Sequence, residues 1–312
     1  MKKYPWLDGT HASLKELCEF FPSLIRGRWE ERLVRTAERI AAFHGQPAVT
    51  KDIFWQAVGE VFPGGYDPLI LRVKDRERLH AEMAAARRQE ELEPGTEPVQ
   101  MIQWQEGSET TGQIPAGAMI YAVNASARKG GNTDILIDEV LRACADSGCR
   151  TEKLYLSDSN LKPCTGCRAC RRGDVPTICT VRDDMTEKVY AKLFAADGLI
   201  FGFPIYTARE NGIMANFMDR WDCLANPELS RKMPKGKKAL IVCSWMWPNP
   251  HAYDHVIEQM VILLKLHGVE TTEVLALSGT RGKRHGRGVV KYHPDILERA
   301  YRAGIRFLKT SA

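Results

Sequence analysis

The chain has 312 residues, 44% hydrophobic and 27% charged, and its 44 basic and 39 acidic side chains give a formal net charge of +5. At roughly 100–200 residues per domain this is room for two domains with buried cores, and it excludes a disordered or fibrous chain. No run approaches the ~18 apolar residues that span a bilayer, the opening residues run into polar sequence rather than an apolar signal, and the mixed charge predicts neither a membrane nor a nucleic-acid partner.

In chain order, Leu14, Leu17, Cys18, Phe21 and Leu24 recur at helical spacing, as do Trp29, Leu33, Ala37, Ile40 and Ala41, so residues 1–75 are expected to form a small all-α accessory domain. Thr50 is placed as the N-cap of a helix that Pro63-Gly-Gly ends. Trp29 and Trp55 are expected in its core, with His44 and His80 on the surface. Arg26, Arg28, Arg32 and Arg35 suggest a nucleic-acid face, but Glu30 and Glu31 dilute it and no such binding is expected. Residues 76–116 read as a charged, solvated helix from Arg72 to Glu91 and a turn-rich linker, including Glu93-Pro-Gly-Thr-Glu-Pro and Gly107-Ser-Glu-Thr-Thr-Gly.

Residues 117–312 change pattern: short apolar runs alternate with amphipathic segments, the signature of an α/β domain. Strands are expected at 118–123, 151–156, 198–203, 238–244 and 270–276, and helices at 132–147, 185–196, 211–224, 251–268 and 295–309. This predicts a five-stranded parallel sheet with helices on both faces, whose ligands bind beyond the carboxyl ends of the strands.

Two loops lie at such ends. In Asn124-Ala-Ser-Ala-Arg-Lys-Gly-Gly-Asn-Thr133, Ser126, Asn132 and Thr133 offer hydrogen-bond donors, Gly130 and Gly131 allow close backbone approach, and Arg128 can pair with an anion. Feeding a helix N-terminus, it is a candidate phosphate cradle, against the plainer alternative of a solvated loop capped by Asn132. The second loop, Pro204, Ile205, Tyr206, Thr207, Ala208 and Arg209, suits one side of a planar heterocycle, or else is a tight turn with Tyr206 packed on its neighbours.

Together with Ala196-Asp-Gly-Leu-Ile-Phe-Gly-Phe-Pro-Ile-Tyr and Met214-Ala-Asn-Phe-Met-Asp-Arg220, the first loop resembles the flavodoxin-like NADPH-dependent FMN reductases, and the cysteines after the second strand resemble those of the iron-sulfur flavoproteins within that group. The resemblance covers residues 118–277. It implies FMN, with its phosphate on Ser126–Thr133 and its ring against Pro204–Arg209, and an oxidoreductase linked to NAD(P)H or a ferredoxin-like donor. It also implies a homodimer or homotetramer, and a flavin that carries the chemistry with no catalytic side chain. Phe203 and Ser244-Trp-Met-Trp-Pro-Asn249 depart from the family pattern. Phe203 is expected to narrow the flavin pocket, and Trp245 and Trp247 to stack near it or to form an interface.

Nine cysteines with no export signal predict a reducing, cytoplasmic setting. Cys164, Cys167, Cys170 and Cys179 crowd into sixteen residues, and C-x2-C-x2-C with a further cysteine suits a [4Fe–4S] cluster. Zinc and a metal-free redox-active loop remain alternatives. Arg168, Arg171 and Arg172 would offset thiolate charge or dock an acidic electron donor such as ferredoxin. Residues 20–53 are also similar to the helical module at the carboxyl end of the light-independent protochlorophyllide reductase B subunit. The leading expectation is an FMN-dependent oxidoreductase; the alternative is a non-catalytic redox or metal sensor that contacts a partner through the amino-terminal helices.

Overall fold

The computed structural model describes residues 4–7, 9–62, 67–88, 93–105, 113–172, 178–224, 233–234 and 236–309. The helix stop at Pro63-Gly-Gly and the turn at 107–112 lie outside them. The chain divides into two compact units, residues 1–88 with 251–255 and residues 89–250 with 256–312.

The first unit is helical: α1 Thr10–Glu19, α2 Ser23–Phe43, α3 Lys51–Val61, α4 Asp67–Lys74 and α5 Arg76–Arg88. Leu14, Leu17, Leu33, Ala37, Phe54 and Val58 are buried between the first three, and each large apolar side chain so removed from water contributes on the order of 2 kcal/mol. Trp29 stacks against Phe21 and Phe62, its centroid 4.8 and 4.9 Å from theirs, and both Trp29 and Trp55 are partly buried against this core. The Thr50 side chain accepts the Ile53 N–H at 3.4 Å, capping α3. Asp75 breaks the charged helix in two and caps α5 by accepting the Arg78 N–H at 2.9 Å. His44 and His80 are exposed, and Arg26 is spent on the Phe21 carbonyl.

The second unit holds the sheet. Strands β2 Met119–Asn124, β3 Arg150–Tyr155, β4 Gly198–Tyr206, β6 Lys237–Ser244 and β7 Val269–Ser278 are parallel and lie in the order β7-β6-β4-β2-β3. Numbered among themselves they give the order 2-1-3-4-5 of a flavodoxin-like doubly wound fold, with the reversal between β2 and β4. One correction concerns residues 100–105, expected within the linker. They form β1 Gln100–Gln105, antiparallel to β7, so a sixth strand lies beside the expected five. Hairpin strand β5 Arg209–Glu210 folds back on β4.

Helices α6 Asn132–Asp146, α7 Tyr190–Ala195, α8 Gly212–Asp219, α9 Asp254–Leu266 and α10 Pro294–Leu308 accompany the sheet, with a π-helical turn at Met185–Val189 ahead of α7 and a 3-10 turn at Arg220–Leu224 after α8. All of β6 and all of β4 but Tyr206 are buried, as near-continuous apolar runs require. Helix α6 sits directly on β4: a Cβ at Gly202 would come within 2.2 Å of the Ile137 side chain and 3.1 Å of Thr133. The same contact aims the N-terminus of α6 at the strand reversal. Among the described residues no helix is long and apolar enough to cross a membrane.

Candidate functional site

The two predicted loops meet at the strand reversal. Asn124 at the end of β2 pairs with Gly202 in β4, the Ala125 N–H donates to the Gly202 carbonyl at 2.7 Å, and the Asn211 side chain donates to the Ala125 carbonyl at 2.8 Å while its oxygen caps α8. The first loop then turns tightly. The Asn124 side-chain oxygen accepts the Ser126 N–H at 2.8 Å, the Ser126 hydroxyl accepts the Arg128 N–H at 3.2 Å, and the Gly131 N–H donates to the Arg128 carbonyl at 2.9 Å. Gly130 has φ +70°, and a Cβ on Gly131 would stand 2.8 Å from the Arg128 carbonyl oxygen. Only glycine lets the backbone at 131 pass so close to the Arg128 carbonyl, and the first-turn N–H groups of α6 follow the loop with the positive end of the helix dipole.

Two of the predicted donors are turned into the protein. The Asn132 amide is buried, donating to the Gly286 carbonyl at 2.7 Å and accepting from the Val290 N–H at 3.1 Å; the Thr133 hydroxyl is buried 2.8 Å from that of Ser244. Both side chains brace the loop, in which Ser126 is also buried and Arg128 is exposed. The segment latched by Asn132 comes close: a Cβ on Gly288 would lie 2.7 Å from the Gly130 carbonyl, and the Arg287 guanidinium donates to the Lys129 carbonyl.

Sequence reasoning missed Asp134. Its side chain is 3% exposed and accepts from the Gly130 N–H at 2.7 Å, Lys153 Nζ at 2.7 Å, the Asn124 amide at 2.8 Å and the Tyr155 hydroxyl at 3.2 Å. Burial alone would push this carboxyl up, but Lys153, Gly130 and Tyr155 together hold it below the usual carboxylate range. Lys153 is likewise opposed by burial and raised by Asp134 and Asp138. A carboxylate in the first turn of a helix that follows a glycine loop was the signal available, since it can reach back to the loop's N–H groups.

In the second loop β4 runs to Tyr206 and turns through Thr207 and Ala208, with φ +53° and +60°, into β5. Two successive left-handed residues give the tight hairpin connection whose twist matches its strands, and neither is the glycine or asparagine that adopts it readily. Pro204 and Ile205 are buried, Tyr206 and Arg209 exposed, and Arg209 pairs with Glu210 at 3.4 Å. Phe203 is fully buried in the strand. Trp245 is buried with its Nε1 donating to the Asn249 carbonyl at 3.1 Å, whereas the half-buried Trp247 lies under the Arg281 guanidinium, 5.1 Å from its centroid.

Cys164, Cys167, Cys170 and Cys179 line one hollow of about 20 Å³ with Asp219, Arg220, Asp222 and Cys223, and none of the nine cysteines is in a disulfide. Cys164 and Cys167 are exposed; Cys170 and Cys179 are half-buried. The Ala169 N–H, with Thr180 and Thr165, holds Cys167 below the ordinary thiol range. Arg171 pairs with Asp222, and Arg168 has a left-handed backbone with φ +55°. Among the described residues no three His, Cys, Asp or Glu side chains converge as they would on a single metal ion.

An iron-sulfur flavoprotein of Methanocaldococcus jannaschii is 37% identical over 102 residues, 32% of this chain and 50% of that protein. One from Methanosarcina thermophila is 34% identical over 101 residues, 32% and 51% respectively. The chain thus spans about half the length of these relatives. Among solved structures, an NAD(P)H:quinone oxidoreductase from Methanothermobacter marburgensis overlaps 61% of this chain and 96% of its own, with 16% identity and a TM-score of 0.46. The sequence pattern of NADPH-dependent FMN reductases matches residues 118–281, the span that carries both loops and the cysteines, and the chain belongs to that family.

Proposed function

We propose that the chain is an FMN-dependent oxidoreductase that takes electrons from NAD(P)H or from a ferredoxin-like protein and passes them to an acceptor, as a homodimer or homotetramer in the cytoplasm. The observation that carries this is the tight turn at Gly131, where a single added carbon would stand 2.8 Å from the Arg128 carbonyl oxygen, ahead of helix N–H groups that lack intrahelical partners. These residues fit a phosphate monoester. Ser126, Arg128 and the backbone of residues 127–133 would hold the FMN phosphate, while Asn132 and Thr133 keep the loop in shape and Asp134 fixes the Gly130 N–H. Pro204, Ile205, Tyr206, Thr207, Ala208 and Arg209 would border the ring, with the Thr207–Ala208 turn presenting backbone amides. Bound FMN would supply hydride and single-electron exchange at its ring. The chain's own part is to bind, orient and set the charge around it.

The four clustered cysteines are the proposed ligands of a [4Fe–4S] cluster. Four thiols around one hollow, not gathered at single-ion spacing, suit a cubane better than zinc, because each thiolate then binds a different iron. Cys164 and Cys167 are the exposed members of the set, and Cys170 and Cys179 the half-buried ones. The test is anaerobic purification followed by absorption spectroscopy and flavin titration. Flavin bands near ~450 nm, a shoulder near ~400 nm that bleaches with dithionite, and saturable FMN binding are expected. Colourless protein that refuses FMN overturns the oxidoreductase reading, and bound metal without flavin favours the sensor.

A further inference from the structure

Arg220 follows α8 in the 3-10 turn, and its guanidinium is 1% exposed. It is locked in place from one side. Nη1 donates to the Lys162 carbonyl at 2.8 Å and pairs with the carboxylate of Asp183, which is itself fully buried; Nη2 reaches the other Asp183 oxygen at 3.3 Å and the Val181 carbonyl at 3.4 Å. Asp183 is fixed in turn by the Lys162 N–H at 2.8 Å and the Thr186 N–H at 3.3 Å. Burial alone would push the Asp183 carboxyl up, but Arg220 with these N–H groups holds it below the usual carboxylate range.

Nη2 also points at Cys179, 3.5 Å from its Sγ, and Nε is buried with no hydrogen-bond partner among the described residues. A buried ion pair of this kind is not explained by stability alone. Apolar residues of the same volume often serve as well, and an unsatisfied guanidinium N–H adds a further cost. What the arrangement supplies is a fixed cationic N–H donor at one sulfur of the cysteine hollow.

We propose that Arg220 is a positioning residue for the iron–sulfur site: held by Asp183, it donates a charge-assisted hydrogen bond to the Cys179 sulfur, presets that ligand, and favours the more negative, reduced state of the cluster. This rests on the cluster reading above. A hydrogen bond to a ligating sulfur is worth more in the reduced state, where the sulfur carries more negative charge, so it raises the reduction potential. Burial strengthens the effect, because little solvent screens the pair. By contrast the partly exposed Arg171 is taken up by Asp222.

The test uses the anaerobically purified full chain with its cluster. Iron and acid-labile sulfide are counted, and the cluster is titrated potentiometrically with detection by electron paramagnetic resonance. Two variants remove the guanidinium donor in different ways: Arg220→Lys keeps the cation but loses the planar fork, and the double variant Arg220→Met with Asp183→Asn removes both charges together. Both are expected to keep FMN and to shift the reduced-to-oxidised ratio at fixed potential about tenfold towards oxidised, ~59 mV for a one-electron couple. A third measurement needs no variant: the iron–cysteine stretching bands of the wild-type protein are expected to shift when it is exchanged into D2O. Wild type without iron overturns the cluster reading and this inference with it. Wild type with a full cluster, no D2O shift and unchanged potentials in whichever variants fold overturns the inference alone.

Discussion

Replacing Asp134 by asparagine tests the site's foundation without touching a ligand-facing side chain. The carboxylate receives four donors within 2.7–3.2 Å in a pocket where it is 3% exposed. An amide turns an NH2 group towards one of those donors and leaves Lys153, 14% exposed, paired only with Asp138, 55% exposed. Breaking a buried pair costs ~3–5 kcal/mol; the remaining partner and the solvent reaching Lys153 reduce that to about 2. One donor left facing another adds about 1, for a total of about 3 kcal/mol. The assay is urea unfolding of flavin-free protein, followed by tryptophan fluorescence, over a pH series. Asp134 has a folded pKa below its unfolded value, so its contribution is complete above about pH 4 and disappears as pH falls through the lowered folded value. Lys153 has a raised folded pKa, so its contribution holds below the ordinary lysine range and fades only as pH climbs through the raised value. The gap between wild type and Asp134→Asn is therefore flat around neutrality and closes in acid. A gap under about 0.5 kcal/mol near neutrality, or one that does not shrink in acid, refutes the assignment.

Gly131→Val forces a side chain against the Arg128 carbonyl, and an overpacking cost of ~1–3 kcal/mol predicts a 10- to 100-fold loss of FMN affinity with unchanged circular dichroism; unaltered flavin quenching in a titration would contradict it. Glycine at Thr207 or Ala208 removes a left-handed penalty of ~1–2 kcal/mol against an entropic loss of ~0.5–1, so calorimetry is expected to show a melting point higher by a few degrees, and a lower one would show the turn to be unstrained. In brief alkylation of the native, metal-free protein, Cys167 is expected to react first and with a rate that levels off at lower pH than for an ordinary thiol. Cys18 and Cys144, which burial pushes up to about 11 and about 12, stay unmodified; peptide mass spectrometry finding either labelled first would reverse the order.

The parallel strands were readable because each is a short apolar run whose flanks carry turn or helix signals, and the Gly130–Gly131 loop because its chemistry is local. What escaped was set at long range. Asn132 and Thr133 look like ligand donors in sequence, yet their partners are Gly286, Val290 and Ser244, more than a hundred residues away. Asp134 acquires its role from Lys153 across the neighbouring strand. β1 carries no period of two, its burial running from exposed Gln100 through buried Met101 and three half-buried residues to exposed Gln105, so alternation gave no signal for it. Arg220 was visible within a family motif, while its nearness to Cys179 depends on how α8 ends.

The Asn132 bridge ties two stretches of chain into one mechanical body. A nucleotide that steadies residues 126–131 would slow deuterium uptake at Val290, whose amide hydrogen rests on Asn132, although the nucleotide never touches it. By reciprocity, a lesion in the tail of the chain beyond Ser278 would weaken cofactor retention from a distance.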